Sequence, residues 1–279
     1  MTSRGRSASR RTGAGMQPSD LPAHTSASQL SCYASCPRKF EYRYVLQREP
    51  EYRSTGLALG TAVHGAVAWW FEEGIAGRVP ALGQALKVLR ADLSAALAYP
   101  NVRWKQDTPA SLLADAESLL RLFLEQHGQL PVVETEVRFD MPIVDPTNGE
   151  TMPRACIGYF DLELSNGNIV ELKTAAKSYS ATDLRVNLQF GAYRTAARYF
   201  GDIDVEVLAL IKTKTPRVQH VALHATRELA TWFMQAASAI ERGIATGVYP
   251  PSPGPMCASC EYARACLGVQ VEAADAEAA

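Results

Sequence analysis

The sequence has no apolar run long enough to cross a bilayer. Its runs, such as the one around residues 67–71, fall far short of the roughly 20 residues a spanning helix needs. It has no charged start followed by an apolar stretch and a small-residue cleavage site, so no secretory signal is expected and the chain reads as cytoplasmic, in a bacterium or a phage-infected host. It has no Gly-x-x-x-x-Gly-Lys-Ser/Thr phosphate loop, nor even a Gly-Lys pair, so no ATPase activity of its own is expected. It has almost no net charge: 28 Lys and Arg stand against 29 Asp and Glu. Bulk electrostatics therefore gives no support to nucleic-acid binding, and any basic track must be a local patch. No internal repeat is present.

What remains is an ordinary globular composition, 47% hydrophobic and 20% charged, in 279 residues, enough for one large domain or a domain with appendages. Residues 1–24 differ. They hold Arg4, Arg6, Arg10 and Arg11, much Ser, Thr and Gly, and no acid before Asp20. Such a segment cannot offset its ordering entropy and is expected to be a disordered basic tail. A nucleic-acid-binding arm, an organellar presequence and a true start at Met16 are the competing readings. Residues 268–279 form a short acidic tail.

Between the tails the hydrophobic period predicts helices over 25–44 (capped by Ser26 or Ser28 and broken at Pro37), 56–74, 82–99 and 109–127. The period then shifts to strand alternation over 132–143, 154–164 and 169–174, joined by turns at 145–149 and 165–168. A helix over 182–199, strands over 205–211 and 218–223 and a helix over 226–246 ending at Gly247 follow. The fold class is α/β, a mixed sheet covered by helices. The expected divisions are a helical part (25–130), a core (131–223), and a closing helix with a cysteine cluster (224–267).

The most informative stretch is Gly158-Tyr159-Phe160-Asp161, followed after the hairpin by Glu171-Leu172-Lys173. Residues two apart on a strand share a face, so Glu171 and Lys173 project together while Val170 and Leu172 face the core. The hairpin returns Asp161 alongside. Two carboxylates that close repel unless a cation lies between them, and oxygen ligands suit Mg²⁺ or Mn²⁺. Lys173 could then orient or deprotonate a water beside a scissile phosphate. An exposed Asp and a surface Glu–Lys pair is the plain alternative. His64 lies on an apolar helix, where a lone histidine is more often a core residue than a ligand. Gln189 and Tyr193, four apart, share a helix face.

Taken together, GTAVH, GYFD, ELK and QFGAY stand in the order His, Asp, Glu-x-Lys, Gln-x-x-x-Tyr, and the chain resembles the RecB-type nucleases of the PD-(D/E)XK superfamily over about residues 25–267. The resemblance implies a restriction-endonuclease-like core and a metal-dependent DNA exonuclease acting on single strands or duplex ends. His64, Asp161 and Glu171 would bind Mg²⁺ or Mn²⁺, Lys173 would be the catalytic base or stabiliser, and Gln189 and Tyr193 would steady the catalytic groups or the DNA backbone. Gly158-Tyr159-Phe160 precedes Asp161 where the superfamily name has Pro, as in many RecB-like members. Recombination, repair, phage DNA metabolism or CRISPR adaptation, with the proteins of those processes as partners, are the settings implied. A non-catalytic DNA-binding module and an RNA or small-molecule hydrolase are the rival functions.

Six cysteines without a secretory signal point to metal or redox chemistry more than disulfides. Cys257, Cys260 and Cys266 form a C-x₂-C-x₅-C array that cannot fill a four-coordinate site alone. Leu30-x-x-Tyr33-x-x-Cys36-Pro37-x-x-Phe40 resembles the motif that precedes the core in RecB-like nucleases carrying a [4Fe–4S] cluster, among them the AddB nuclease domain and CRISPR-associated exonucleases. That resemblance assigns the cluster to Cys36, Cys257, Cys260 and Cys266, with Cys32 the alternative donor, zinc the alternative metal, and Cys156 a buried structural residue.

Overall fold

The structure is a computed structural model that describes residues 21–104 and 106–268. The four arginines of the basic tail and the acidic run from 269 onward lie outside the described residues. His24, assigned to that tail by its composition, instead begins a strand, β1 (His24–Thr25), which pairs in parallel with residues 155 and 156. Among the described residues no helix is long and apolar enough to cross a membrane.

After β1 comes α1 (Ala27–Ser35), whose cap is Ser26: its hydroxyl accepts from the Gln29 N–H. The break expected at Pro37 is present, where α2 (Pro37–Phe40) starts and runs on into a π-helical turn (Glu41–Val45). The helical layer is α3 (Thr55–Ile75), α4 (Leu82–Leu97) and α5 (Pro109–His127). A two-stranded parallel ladder, β2 (Arg53–Ser54) with β3 (Val102–Arg103), ties the start of α3 to the loop before α5; nothing in the local sequence pattern signals it.

The main sheet contains β4 (Val132–Met141), β5 (Ala155–Leu164) and β6 (Ile169–Ala175), then β7 (Val205–Ile211) and β8 (Arg217–Ala222). β6 and β7 are parallel neighbours; β4–β5, β5–β6 and β7–β8 are antiparallel. The parallel crossover is made by α6 (Ala181–Val186) and α7 (Leu188–Tyr199). The periodicity predicts a single helix there. Asn187 splits it, because its side chain accepts from the Gln189 and Phe190 N–H groups and caps α7 afresh. Then come α8 (Arg227–Ala245), a 3₁₀ turn (Pro255–Ser259) and α9 (Ala263–Leu267).

Strand alternation sends side chains to two cores. On β7, Val205, Val207, Ala209 and Ile211 face a core shared with α1, α7 and α8, while Leu208 and Leu210 face the one under α3, α4 and α5. β5 breaks this rule. Phe160 and Leu162 are two apart and should share a face, yet Phe160 enters the first core and Leu162 the second. Across from the residue between them, β4 carries Glu136 with φ 53, a left-handed value that a non-glycine side chain rarely adopts. The ribbon is twisted over at Glu136 and Asp161.

β5 and β6 pair only through Leu162–Val170 and Glu163–Ile169, and β1 takes up the far end of the same β5 edge at Ala155 and Cys156. Between those points the sheet opens.

Candidate active site

Asp161 stands at the mouth of that opening. Its Oδ2 accepts from the Leu172 N–H at 2.6 Å, replacing a strand–strand hydrogen bond, and its Oδ1 lies 3.3 Å from His64 Nδ1. Burial pushes the Asp161 carboxyl up. His64, the Lys173 charge and the Leu172 N–H together outweigh burial, so it sits below the usual carboxylate range.

His64 reaches Asp161 because α3 lies close on the sheet. At Gly60, one turn earlier, an added Cβ would stand 2.9 Å from Thr174 Oγ1 on β6. Gly158 serves the opposite face, where the Phe139 ring lies against its Cα and leaves no room for a side chain.

The sequence pattern puts Glu171 and Lys173 on one face of β6, and the structure agrees, but that face is not solvated. It lies under α7, and Glu171 is 2% exposed. Lys173 Nζ donates to Glu171 Oε1 and stands 5.5 Å above the Tyr193 ring. The Tyr193 hydroxyl accepts from Gln189 Nε2 at 3.0 Å and lies close enough to Glu171 to favour its charged form. Burial raises the Glu171 carboxyl to about 7, against the pull of Lys173; the neighbouring Asp161 charge adds to the rise. Tyr193 is held far above its ordinary range, first by burial and then by Glu171.

The opening leads into a cavity of about 940 Å³ lined by His64, Asp161, Lys173 and Thr174. Three further charged residues line it that the motif reading did not single out: Arg53, Asp92 and Glu136. Glu136 was within reach of sequence reasoning. The β4–β5 register pairs Thr135 with Leu162 and Val137 with Phe160, which sets Glu136 opposite Asp161. Asp92 was not, since its place depends on how α4 packs against α3 at Gly65.

The donor set fits a divalent cation. Glu171 Oε2 is buried with no hydrogen-bond partner, an expensive state for a carboxylate oxygen unless a cation or proton meets it. As they stand, no three His, Cys, Asp or Glu side chains among the described residues surround one metal position.

The second cluster forms away from this cavity. Cys36, Cys257, Cys260 and Cys266 line one pocket together with Arg38 and Lys39; Cys32 does not line it. None of the six cysteines is in a disulfide. Burial pushes the Cys32 thiol up to about 11 and the Cys156 thiol up to about 12; Cys156 is wholly enclosed. The four free thiols share this pocket, burial pushes Cys260 and Cys266 up, and as they stand no three of the thiols surround one metal position.

The motif around Cys36 acquires a physical meaning here. Leu30 and Phe40 are fully buried, Tyr33 donates to the Val248 carbonyl at 2.6 Å, and the Ser252 N–H points at Cys36 Sγ at 3.5 Å. Lys39 meets Glu261 at 2.8 Å, and the Tyr262 hydroxyl donates to the Arg48 carbonyl at 3.3 Å. Residues 33–48 and 248–262 are laced together on both sides of the cysteines.

Residues 24–267 match the family model described as the PD-(D/E)XK nuclease superfamily. No curated protein matches. Among solved structures, a protein from Eubacterium rectale described as a "Putative exonuclease" is 14% identical, with 87% of this chain and 88% of that one covered at a TM-score of 0.52. That likeness is one of fold. The structure of SSO0001 is 16% identical, with 77% of this chain and 85% of that one covered at a TM-score of 0.34.

Proposed function

The chain belongs to the PD-(D/E)XK nuclease superfamily, and on that premise we propose that it is a Mg²⁺- or Mn²⁺-dependent DNA exonuclease serving recombination, repair or phage DNA metabolism. The observation that carries this reading is the unpartnered, buried Glu171 Oε2, beside Lys173 and around the strand edge from Asp161 and His64. Asp161, Glu171 and His64 would hold the cation, which when bound supplies charge neutralisation at the scissile phosphate. Lys173 would orient the attacking water and take up its proton or counter the developing negative charge. Tyr193, fixed by Gln189, would hold Glu171 against rotation, so that its free oxygen stays aimed at the cation.

End-labelled single- and double-stranded DNA, incubated with Mg²⁺, Mn²⁺ or EDTA, tests the reading. Shortening from the ends with either cation and none with EDTA is expected. Cutting of covalently closed circles at the same rate would replace the exonuclease by an endonuclease, and no cleavage under any condition would remove the enzyme.

For the cysteine pocket we propose a [4Fe–4S] cluster on Cys36, Cys257, Cys260 and Cys266. The shared cavity supports this set over one containing Cys32, which lies outside it. Its role would be structural, since the ligands lie outside the carboxylate–lysine cavity.

A further inference from the structure

With 28 basic and 29 acidic side chains, the chain offers no overall attraction for a polyanion, so a nuclease of this composition needs a concentrated patch. One exists between the cysteine pocket and the catalytic cavity. A recess of about 640 Å³ there is lined by Lys39, Arg43, Arg48 and Arg53 against only two acids, Glu49 and Glu261. Glu261 is occupied by Lys39. Arg43, Arg48 and Arg53 are exposed, and among the described residues none has an acidic partner within salt-bridge distance.

Two features say how the patch would be used. Guanidinium groups here lie over tyrosine rings: Arg48 over Tyr42 at 4.8 Å, Arg53 over Tyr99 at 4.1 Å and Arg43 over Tyr44 at 5.2 Å. Stacking fixes long side chains that would otherwise lose rotamer freedom on meeting a phosphate, and a planar stack of this type also accepts unpaired bases. The recess is moreover continuous with the catalytic cavity, because Arg53, Ser54 and Leu57 line both. Leu57, 59% exposed in the first turn of α3, stands at the junction.

We propose that this recess is the loading path for one strand of DNA, which runs from the cysteine clamp past Arg43 and Arg48, over Leu57 and Arg53, to His64 and Asp161. Spaces of about 640 and 940 Å³ accommodate a few nucleotides of one strand, and guanidinium–tyrosine stacks suit its unpaired bases. The proposal rests on the nuclease reading for its substrate. It assigns the clamp a second task beyond holding the chain ends, since α2, the π-turn and the 259–262 segment form the walls of the path.

The test is binding without catalysis. Fluorescein-labelled (dT)₂₀ and a 20-base-pair duplex are titrated with the full chain in EDTA across a salt series, beside an R43Q/R48Q/R53Q variant matched by circular dichroism and melting temperature. The variant is expected to bind (dT)₂₀ at least tenfold more weakly, with a log Kd against log salt slope smaller by about 2, at roughly 0.7 per phosphate released. Duplex affinity should change much less. Unchanged (dT)₂₀ affinity and slope in the variant would overturn the path while leaving the nuclease reading intact. Equal losses for duplex and single strand would overturn the single-strand assignment. Wild-type protein that neither binds nor cleaves any DNA would take the nuclease reading down with it.

Discussion

The Asp161 carboxylate accepts the Leu172 backbone N–H at 2.6 Å, so a side chain closes the ladder at the place where β5 and β6 separate. This couples chemistry to architecture, and the two can be separated by choice of substitution. Asp161→Ala leaves the Leu172 N–H without its acceptor and should lower stability by about 1–3 kcal/mol as well as abolish cleavage. Asp161→Asn keeps an acceptor oxygen there, and should lose cleavage with much less effect on folding. Denaturant unfolding alongside a nuclease assay decides it; equal destabilisation by the two would mean the hydrogen bond contributes little.

Glu171 presents the reverse case. Its burial disfavours the charged form, and one of its oxygens has no partner. Glu171→Gln removes that charge while keeping the shape, so the metal-free protein should melt no lower than wild type at neutral pH. Cleavage should fall by orders of magnitude, and stabilisation by added Mn²⁺ should vanish. Normal cleavage by the Glu171→Gln variant would remove Glu171 from the site.

Tyr193 is expected to act through Glu171, as a positioning residue. Tyr193→Phe keeps the ring under Lys173 and removes only the hydroxyl, which accepts from Gln189 and stands beside Glu171. Loss of such a supporting hydrogen bond costs roughly 10–100-fold in metal affinity or activity. The readout is the Mn²⁺ concentration for half-maximal rate: it should rise, and saturating Mn²⁺ should recover much of the rate. A loss that no Mn²⁺ concentration repairs would assign Tyr193 a different role.

Much of this arrangement was legible in the residues. The 3.6 and 2.0 periods gave α5 and β7 to the residue, and the hairpin after Asp161 is present, pairing Leu162 with Val170 and Glu163 with Ile169. What escaped were features set by tertiary packing. The strand alternation in 154–164 looks regular, yet the inward face switches at Asp161, because the β4–β5 ribbon turns over opposite Glu136. Glu171 is buried because α7 packs over its face of β6. The split at Asn187 was missed because a capping asparagine inside a good helical pattern is a local competitor whose success depends on how α7 docks. Arg43 and Arg48 stack on tyrosines nearby in the chain, but Arg53 stacks on Tyr99 from a distant segment, and no linear pattern joins that pair.

The turn after β4 gives the acid limb of the stability curve. Asp145 accepts from the Thr147 hydroxyl at 2.6 Å and the Thr147 N–H at 2.8 Å, and meets Arg242 on α8 at 2.6 Å. Thr147 first, and then Arg242, hold its carboxyl down to about 2. A carboxyl depressed in the folded state stabilises above its unfolded pKa, near 4, and that contribution disappears as pH falls towards 2. Asp145→Asn should therefore melt below wild type at pH 7, and the gap should close between about pH 4 and pH 2. A gap independent of pH would show that geometry, not charge, secures the turn.

The cysteine pocket yields the prediction with the most separable parts. Bridging Cys36 to Cys257 closes a loop of about 220 residues, for which an idealised cross-link would contribute roughly 5 kcal/mol. The measured effect should be smaller. Tyr33–Val248, Lys39–Glu261 and Tyr262–Arg48 already join the same two segments and persist when the cluster is lost, so part of the closure entropy is met without it. Purified without oxygen, the chain should be brown, with broad absorption near ~400 nm and about four irons. Cys36→Ser, Cys257→Ser, Cys260→Ser and Cys266→Ser should each lose the colour and lower the melting temperature without abolishing folding. Cys32→Ser and Cys156→Ser should keep the colour, since neither thiol lines the pocket. DNA binding should fall with the colour in the four ligand variants, because Lys39 and the 259–262 segment wall both the cysteine pocket and the basic recess. A colourless protein with one zinc per chain would replace the cluster and leave the carboxylate–lysine site untouched; brown Cys36→Ser protein paired with colourless Cys32→Ser would move the fourth ligand to Cys32.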